Sequence, residues 1–177
     1  SDINKAGAKF SWEKLNWINS QYIKRMELEK LNGVIKKYWV EKGWESPSKE
    51  WEIKLTALIK DSMILLKDAI DQSKPFFSSS QIQREGREFL ENNKDAKKSL
   101  KYILSYLKEE NISKINVANA KEIINKISVN NSIKKGVVMK SLRVAFFGCL
   151  SGPDLIQSWE LFLSLIHISE PTRRHLI

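Results

Sequence analysis

KGVVMKSLRVAFFG, residues 135–148, is the stretch on which the fold turns. Its valines and phenylalanines suit a β-strand. Its apolar residues also recur at helical spacing, with Met139, Leu142 and Phe146 on one stripe and Lys140, Arg143 and Phe147 on the neighbouring one. Read as a helix, it stops at Gly148, and Ser151-Gly152-Pro153-Asp154 leads into a last amphipathic helix through Leu155, Ile156, Trp159 and Phe162.

Helical periods continue toward the N-terminus. Asn116 is placed to cap a helix that buries Ala120, Ile123, Ile124 and Ile127. Before it come amphipathic segments over residues 81–92 and 95–109, the second with Leu100, Ile103, Leu104 and Leu107 inward. SKPFFSSS, residues 73–80, interrupts the period with proline and serine. Upstream, Ser46-Pro47 is expected to open one long helix with Trp51, Leu55, Leu58, Ile59, Leu65, Leu66, Ala69 and Ile70 on a broad face and Ser62 inside it. A helix carrying Leu31, Val34, Ile35, Tyr38 and Trp39 precedes it and stops near Gly43. Ser11 caps the first helix, whose stripe is Leu15, Ile18, Tyr22 and Met26, with Trp17 pointing away. Five of six tryptophans lie before Glu52, which predicts a dense aromatic core in this half. The expected architecture is all-α with two helical subdomains, residues 1–74 and 75–162.

The ends are informative. The chain opens on Ser1 within a polar segment, as a piece of a longer protein would. LSLIHISEPTR, residues 163–173, resembles the translation of a transposase adapter used in sequencing-library preparation, so residues 163–177 are expected to be a non-native tail. Setting the tail aside removes both histidines, His167 and His175, and lowers the net charge by one from +9. Histidine-based acid–base chemistry is then out of reach.

With 177 residues the chain is long enough to bury a real core. A lone Cys149 excludes a disulfide framework and leaves too few ligands for a Cys/His metal site. No apolar run reaches membrane-spanning length, and a cytoplasmic setting is expected. An excess of 30 Lys and Arg over 21 Asp and Glu makes nucleic acid the partner class to examine. No GxxxxGK[ST] loop, GxGxxG turn or HExxH pair occurs, and no catalytic or metal site emerges. Lys140, Arg143 and Phe147, at i, i+3 and i+7, are either two cations and a ring suited to phosphates and unstacked bases, or a solvated stripe above a core phenylalanine. Gly152-Pro153 is either a rigid turn or a place where a base closely approaches the backbone. Lys97, Lys98, Lys101, Lys121, Lys126, Lys134 and Lys135 would extend a positive field or simply be solvated.

Three collinear blocks carry a family resemblance. KFSWEKLNWINSQYIK (residues 9–24), LIKDSMILLKDAIDQSKPFF (58–77) and KKGVVMKSLRVAFFGCLSGPDLIQSW (134–159) resemble the region after the catalytic part of bacterial-type glutamyl-tRNA synthetases. Ser141, where many members have proline, points to the cyanobacterial and plastid branch. The resemblance implies a multihelical anticodon-binding region of a class I aminoacyl-tRNA synthetase. It implies that Arg143, Gly152, Pro153 and Leu155 approach the anticodon; Lys140 and Phe147 join the candidate tRNA-binding set through their spacing with Arg143. Ser62 aligns near the position that reads the third anticodon base in some members; a shift of one turn would bring in Lys60 or Lys67. Phe146-Phe147-Gly148 departs from the family's L-T-G. The implied partners are tRNA(Glu), tRNA(Gln) as well if the enzyme is non-discriminating, and a catalytic domain absent from this chain, which uses ATP and Mg2+ to attach glutamate. The fragment itself, expected to be a monomer, would bind tRNA without aminoacylating it. The competing reading is a basic helical adaptor or general RNA-binding module that meets partners through Trp17 or Trp44.

Overall fold

The computed structural model describes residues 11–112 and 115–169, with side chains as far as Ser164. Among the described residues the chain forms nine helices and no strand: α1 (Trp12–Arg25), α2 (Leu28–Glu41), α3 (Lys49–Lys60), α4 (Asp68–Phe77), α5 (Arg84–Asn92), α6 (Lys94–Glu109), α7 (Val117–Asn130), α8 (Lys135–Phe147) and α9 (Leu155–Ser169). The all-α expectation holds, and the ambiguous 135–148 stretch is helical to Phe147, with Gly148 at φ 73° ending it.

Local chemistry sets most boundaries. Ser11 accepts from Lys14 N at 3.3 Å and Asn116 from Asn119 N at 2.9 Å, as their positions predict. At the end of α2, Trp44 N donates to Trp39 O and Gly43 N to Val40 O, both at 2.9 Å. This pairing needs the left-handed φ of 69° that Gly43 supplies. The cap of α3 is Ser48, which accepts from Trp51 N at 3.2 Å, rather than Ser46. Ser46 instead donates to the buried Glu52.

Two sequence expectations are corrected here. The single long helix is in fact α3 and α4, separated by residues 61–67. Asp68, the first residue of α4, secures the intervening turn: its Oδ2 accepts from Ile64 N at 2.9 Å and Leu65 N at 2.7 Å, satisfying amides that a continuous helix would have bonded to its own carbonyls. The interruption expected at residues 73–80 lies later. Helix α4 runs through Pro75 to Phe77, and the irregular connection is residues 78–83.

The halves share one core. Phe76 of α4 stacks on Phe162 of α9 at 4.7 Å, and Phe146 of α8 also stacks on Phe162, at 4.7 Å. Helix α9 returns to the N-terminal helices, where Trp51 Nε1 donates to Leu161 O at 3.1 Å and Lys54 meets Glu160 at 2.8 Å. Trp39, Trp51 and Phe77 pack together, with Trp44 stacked on Phe77 at 5.0 Å. The aromatic core predicted for this half therefore exists, but Trp12 and Trp17 are outside it. The expected α1 stripe is also largely unburied: Tyr22 is 73% exposed, Leu15 and Ile18 are exposed, and Ile23 is the residue α1 buries. Only the C-terminal end of α1 reaches the core, through Ile23 and Met26, where Lys60 Nζ donates to Met26 O at 2.6 Å. In α6 the buried side is Ala96, Ser99 and Ile103, which leaves Leu104 exposed instead of inward.

A polar network sits inside the α2–α3 contact. Asn32 Nδ2 donates to Thr56 Oγ1 at 3.0 Å, and the Glu52 carboxylate, 2% exposed, pairs with Lys36 at 2.7 Å. Burial pushes the Glu52 pKa up, but hydrogen bonds from Lys36 and Ser46 and the charge of Lys49 outweigh it and hold the value below 4.5. Its contribution to stability is thus complete above about pH 4.5 and is lost as pH falls through the lower folded value. Glu52→Gln is expected to lower unfolding free energy by about 1–2 kcal/mol near pH 7, because Lys36 is half-exposed and can return to water. Urea titrations at descending pH should show the gap to wild type narrowing below about pH 4; a constant gap would exclude the ion pair as its cause.

Candidate nucleic-acid interface

Helix α8 delivers Lys140 and Arg143 one turn apart, Lys140 exposed and Arg143 half-buried. Between them Ser141 is buried and donates to Val137 O at 2.8 Å, so its hydroxyl is satisfied within the helix. Past Gly148 the chain makes a turn over residues 148–154 and enters α9, which Asp154 caps by accepting from Gln157 N at 2.9 Å.

Arg143 holds that turn. Its Nη1 donates to Gly152 O at 3.2 Å and Pro153 O at 2.9 Å, bringing together three residues that the sequence had associated. Its Nε and Nη2 hydrogens have no protein partner among the described residues and remain for a ligand. Gly152 is exposed with φ 143°, and an added Cβ there would lie 3.1 Å from the Phe147 ring. The turn consequently rests on Phe147, with Gly152 exposed and Pro153 half-buried.

Two expected contact residues are corrected. Phe147 is 5% exposed and packs on Phe76 at 6.0 Å and Phe162 at 5.8 Å, so it is the floor of the turn and not a platform for a base. Leu155 is 1% exposed and anchors the start of α9 in the core. Ser62 stands apart, on the turn between α3 and α4. Its Oγ lies 2.8 Å from Ile59 O and 2.6 Å from Gln72 Oε1, while Gln72 Nε2 donates to Ser62 O at 3.3 Å. The alternative Lys60 is engaged with Met26 O, and Lys67 is exposed. Of the outlying lysines, Lys126 is bound to Glu122 at 2.9 Å and to the Tyr106 hydroxyl at 3.2 Å, which raise its pKa in that order.

Sequence reasoning missed the support behind the turn. Gln83 N donates to Gly148 O at 2.8 Å, and Leu150 N donates to Glu85 Oε1 at 3.0 Å. The signal was Gly86, an isolated glycine in a helical pattern: a Cβ there would lie 2.6 Å from Gly148 O.

The model of a family described as "Anticodon binding domain" matches residues 16–162. The chain belongs to the anticodon binding domain family. It is 77% identical over 162 residues to a glutamate--tRNA ligase of Prochlorococcus marinus subsp. pastoris (strain CCMP1986 / NIES-2087 / MED4), covering 92% of this chain and 34% of that protein. With the glutamate--tRNA ligase of P. marinus strain MIT 9215 the identity is 70% over the same length and coverage. The chain thus spans about a third of the length of the curated relatives it matches. Its fold matches a glutamate-tRNA synthetase from Elizabethkingia anophelis with a TM-score of 0.69 and 30% identity, over 96% of this chain and 32% of that one. A glutamate tRNA ligase from Elizabethkingia meningosepticum, solved in complex with its amino acid, gives 0.75 and 28% over 94% and 33%. The resemblance read from the three sequence blocks is therefore correct. In this anticodon binding domain the α8–α9 turn combines an exposed backbone, a partly uncommitted guanidinium and a neighbouring lysine, a set that can hydrogen-bond base edges and pair with phosphate.

Gly148 makes the geometry of that turn testable. An added Cβ would lie 2.2 Å from Gln81 O, at a left-handed φ that L-residues rarely adopt. Gly148→Ala is expected to destabilise the domain by about 2–4 kcal/mol in thermal or urea unfolding. A loss under about 0.5 kcal/mol would mean the 81–83 segment does not cross Gly148 as described.

Proposed function

We propose that the chain is the C-terminal anticodon-binding portion of a glutamate--tRNA ligase and that it holds the anticodon loop of tRNA(Glu) against the 148–154 turn. The observation that carries the reading is the Arg143 clamp: one guanidinium nitrogen fixes the Gly152 and Pro153 carbonyls, one helical turn from the exposed Lys140. Unstacked loop bases expose faces and edges, and an exposed turn with free donors is suited to them. The family match and relatives named glutamate--tRNA ligase support the choice of RNA. The basic-adaptor reading is not favoured, and one of its two contact residues, Trp44, is stacked on Phe77.

The longer protein would activate glutamate with ATP and Mg2+ in a catalytic domain not contained in this chain, acting in the bacterial cytoplasm. This portion, a monomer, would place the acceptor end by gripping the anticodon. Within it, helices α1–α4 and α5–α9 form the two subdomains, with the division at residues 78–83 where the chain is irregular. Ser62 faces the third anticodon base in this reading, and a short hydroxyl already bonded to its own chain discriminates poorly, which would admit tRNA(Gln) as well.

Fluorescence anisotropy against anticodon stem-loops tests both points. Arg143→Ala is expected to weaken binding of the glutamate loop by about 1–3 kcal/mol and to affect loops with altered anticodons less. No binding by the wild type at low salt would remove the tRNA reading. Ser62→Arg should create a preference of about tenfold or more between loops that differ only in the third anticodon base. Unchanged preference would place the third-base reader elsewhere.

A further inference from the structure

The turn after α8 is gripped from two sides. On its far limb Arg143 holds the Gly152 and Pro153 carbonyls. On its near limb the grip comes from α5 and the residue before it, distant in sequence. Glu85 Oε1 accepts from Leu150 N at 3.0 Å across 65 positions, and Gln83 N donates to Gly148 O at 2.8 Å. Gly86 lets the two backbones meet, since a Cβ on it would lie 2.6 Å from Gly148 O and 3.1 Å from Val144 Cγ1.

We propose that Glu85 is a positioning residue for anticodon recognition, fixing through the Leu150 amide the shape of the turn that RNA meets. The inference rests on the reading of the 148–154 turn as the anticodon contact. It goes beyond that reading because Glu85 lies on another helix and would itself repel a phosphate. A carboxylate beside an RNA-facing surface is unfavourable for binding by its charge alone. Its backbone bond reverses that sign: an ordered turn spares the ordering cost at the moment of binding. Arg143 and Glu85 then act as a pair, one on each limb, and the turn between them has little freedom left.

The opposed signs give the test. Wild type, Glu85→Ala and Glu85→Gln of the full chain are titrated with the glutamate anticodon stem-loop and with loops carrying altered anticodons, at two salt concentrations. Glu85→Gln removes the charge and keeps an oxygen acceptor for Leu150 N; Glu85→Ala removes both. The expected result is that Glu85→Ala weakens the glutamate loop about five- to tenfold and altered loops less, while Glu85→Gln stays within about twofold of wild type or tightens. Glu85→Ala should also speed hydrogen exchange at the Leu150 amide in the free protein, with the thermal midpoint within about 3 °C of wild type. Equal or tighter binding by Glu85→Ala, or equal weakening by both variants, would overturn the proposal. So would unchanged exchange at Leu150. A wild type that binds no loop, or all loops alike, fails differently: it removes the anticodon reading and this inference with it.

Discussion

The backbone of residues 81–83 passes so close to Gly148 that no side chain fits between them. This contact is where the two ends of the C-terminal half meet. Gly148 ends α8 in a conformation only glycine adopts cheaply, and its carbonyl accepts the Gln83 amide. The same carbonyl lies over Gly86, so α5 begins directly beneath the end of α8. Everything that follows in the chain is placed by this meeting: the turn over Phe147, the Arg143 clamp, and the direction in which α9 departs toward α3. A glycine normally loosens a chain, but here Gly86 and Gly148 let two backbones meet where an added Cβ would collide.

Much of the fold was legible because helices in this chain carry strong local marks. Ser11 and Asn116 cap where their spacing predicted, and Ala120, Ile123, Ile124 and Ile127 are all buried in α7. The misreadings share a cause. Apolar periodicity reports that a face is amphipathic, not which neighbour covers it. Tyr22 and Leu104 fell on good stripes, yet no described element covers them. Asp68 looked like one more polar residue on the solvent face, while its carboxylate holds the Ile64 and Leu65 amides of the turn between α3 and α4. Pro75 looked like a breaker, but α4 continues past it to Phe77, with Ser78 N donating to Lys74 O at its end and Phe76 buried in the core.

The candidate site was legible only in its outline. The family resemblance grouped Arg143, Gly152 and Pro153, and the two Arg143 hydrogen bonds join them in the fold. The direction of Phe147 was not readable: it shares a stripe with the exposed Lys140 and the half-buried Arg143, and tertiary packing against Phe76 and Phe162 turned it inward. Leu155 likewise turned inward. The role of Glu85 could not be read at all, because the amide it meets is 65 positions away. Long-range backbone contacts of this type leave almost no trace in sequence except the small residues that permit them.

Trp51 and Leu161 are joined by an indole hydrogen bond across 110 positions, and the Phe76–Phe162 stack also joins α4 to α9. During synthesis, helices α1 to α4 leave the ribosome long before α9 exists. Until it arrives, the Trp51 indole N–H must bond water instead of Leu161 O, and one face of the Phe76 ring lacks its Phe162 partner. The first half therefore waits in a loosely packed state and is sealed only when the last helix emerges, so nascent chains halted before α9 are the ones most exposed to proteases and to aggregation.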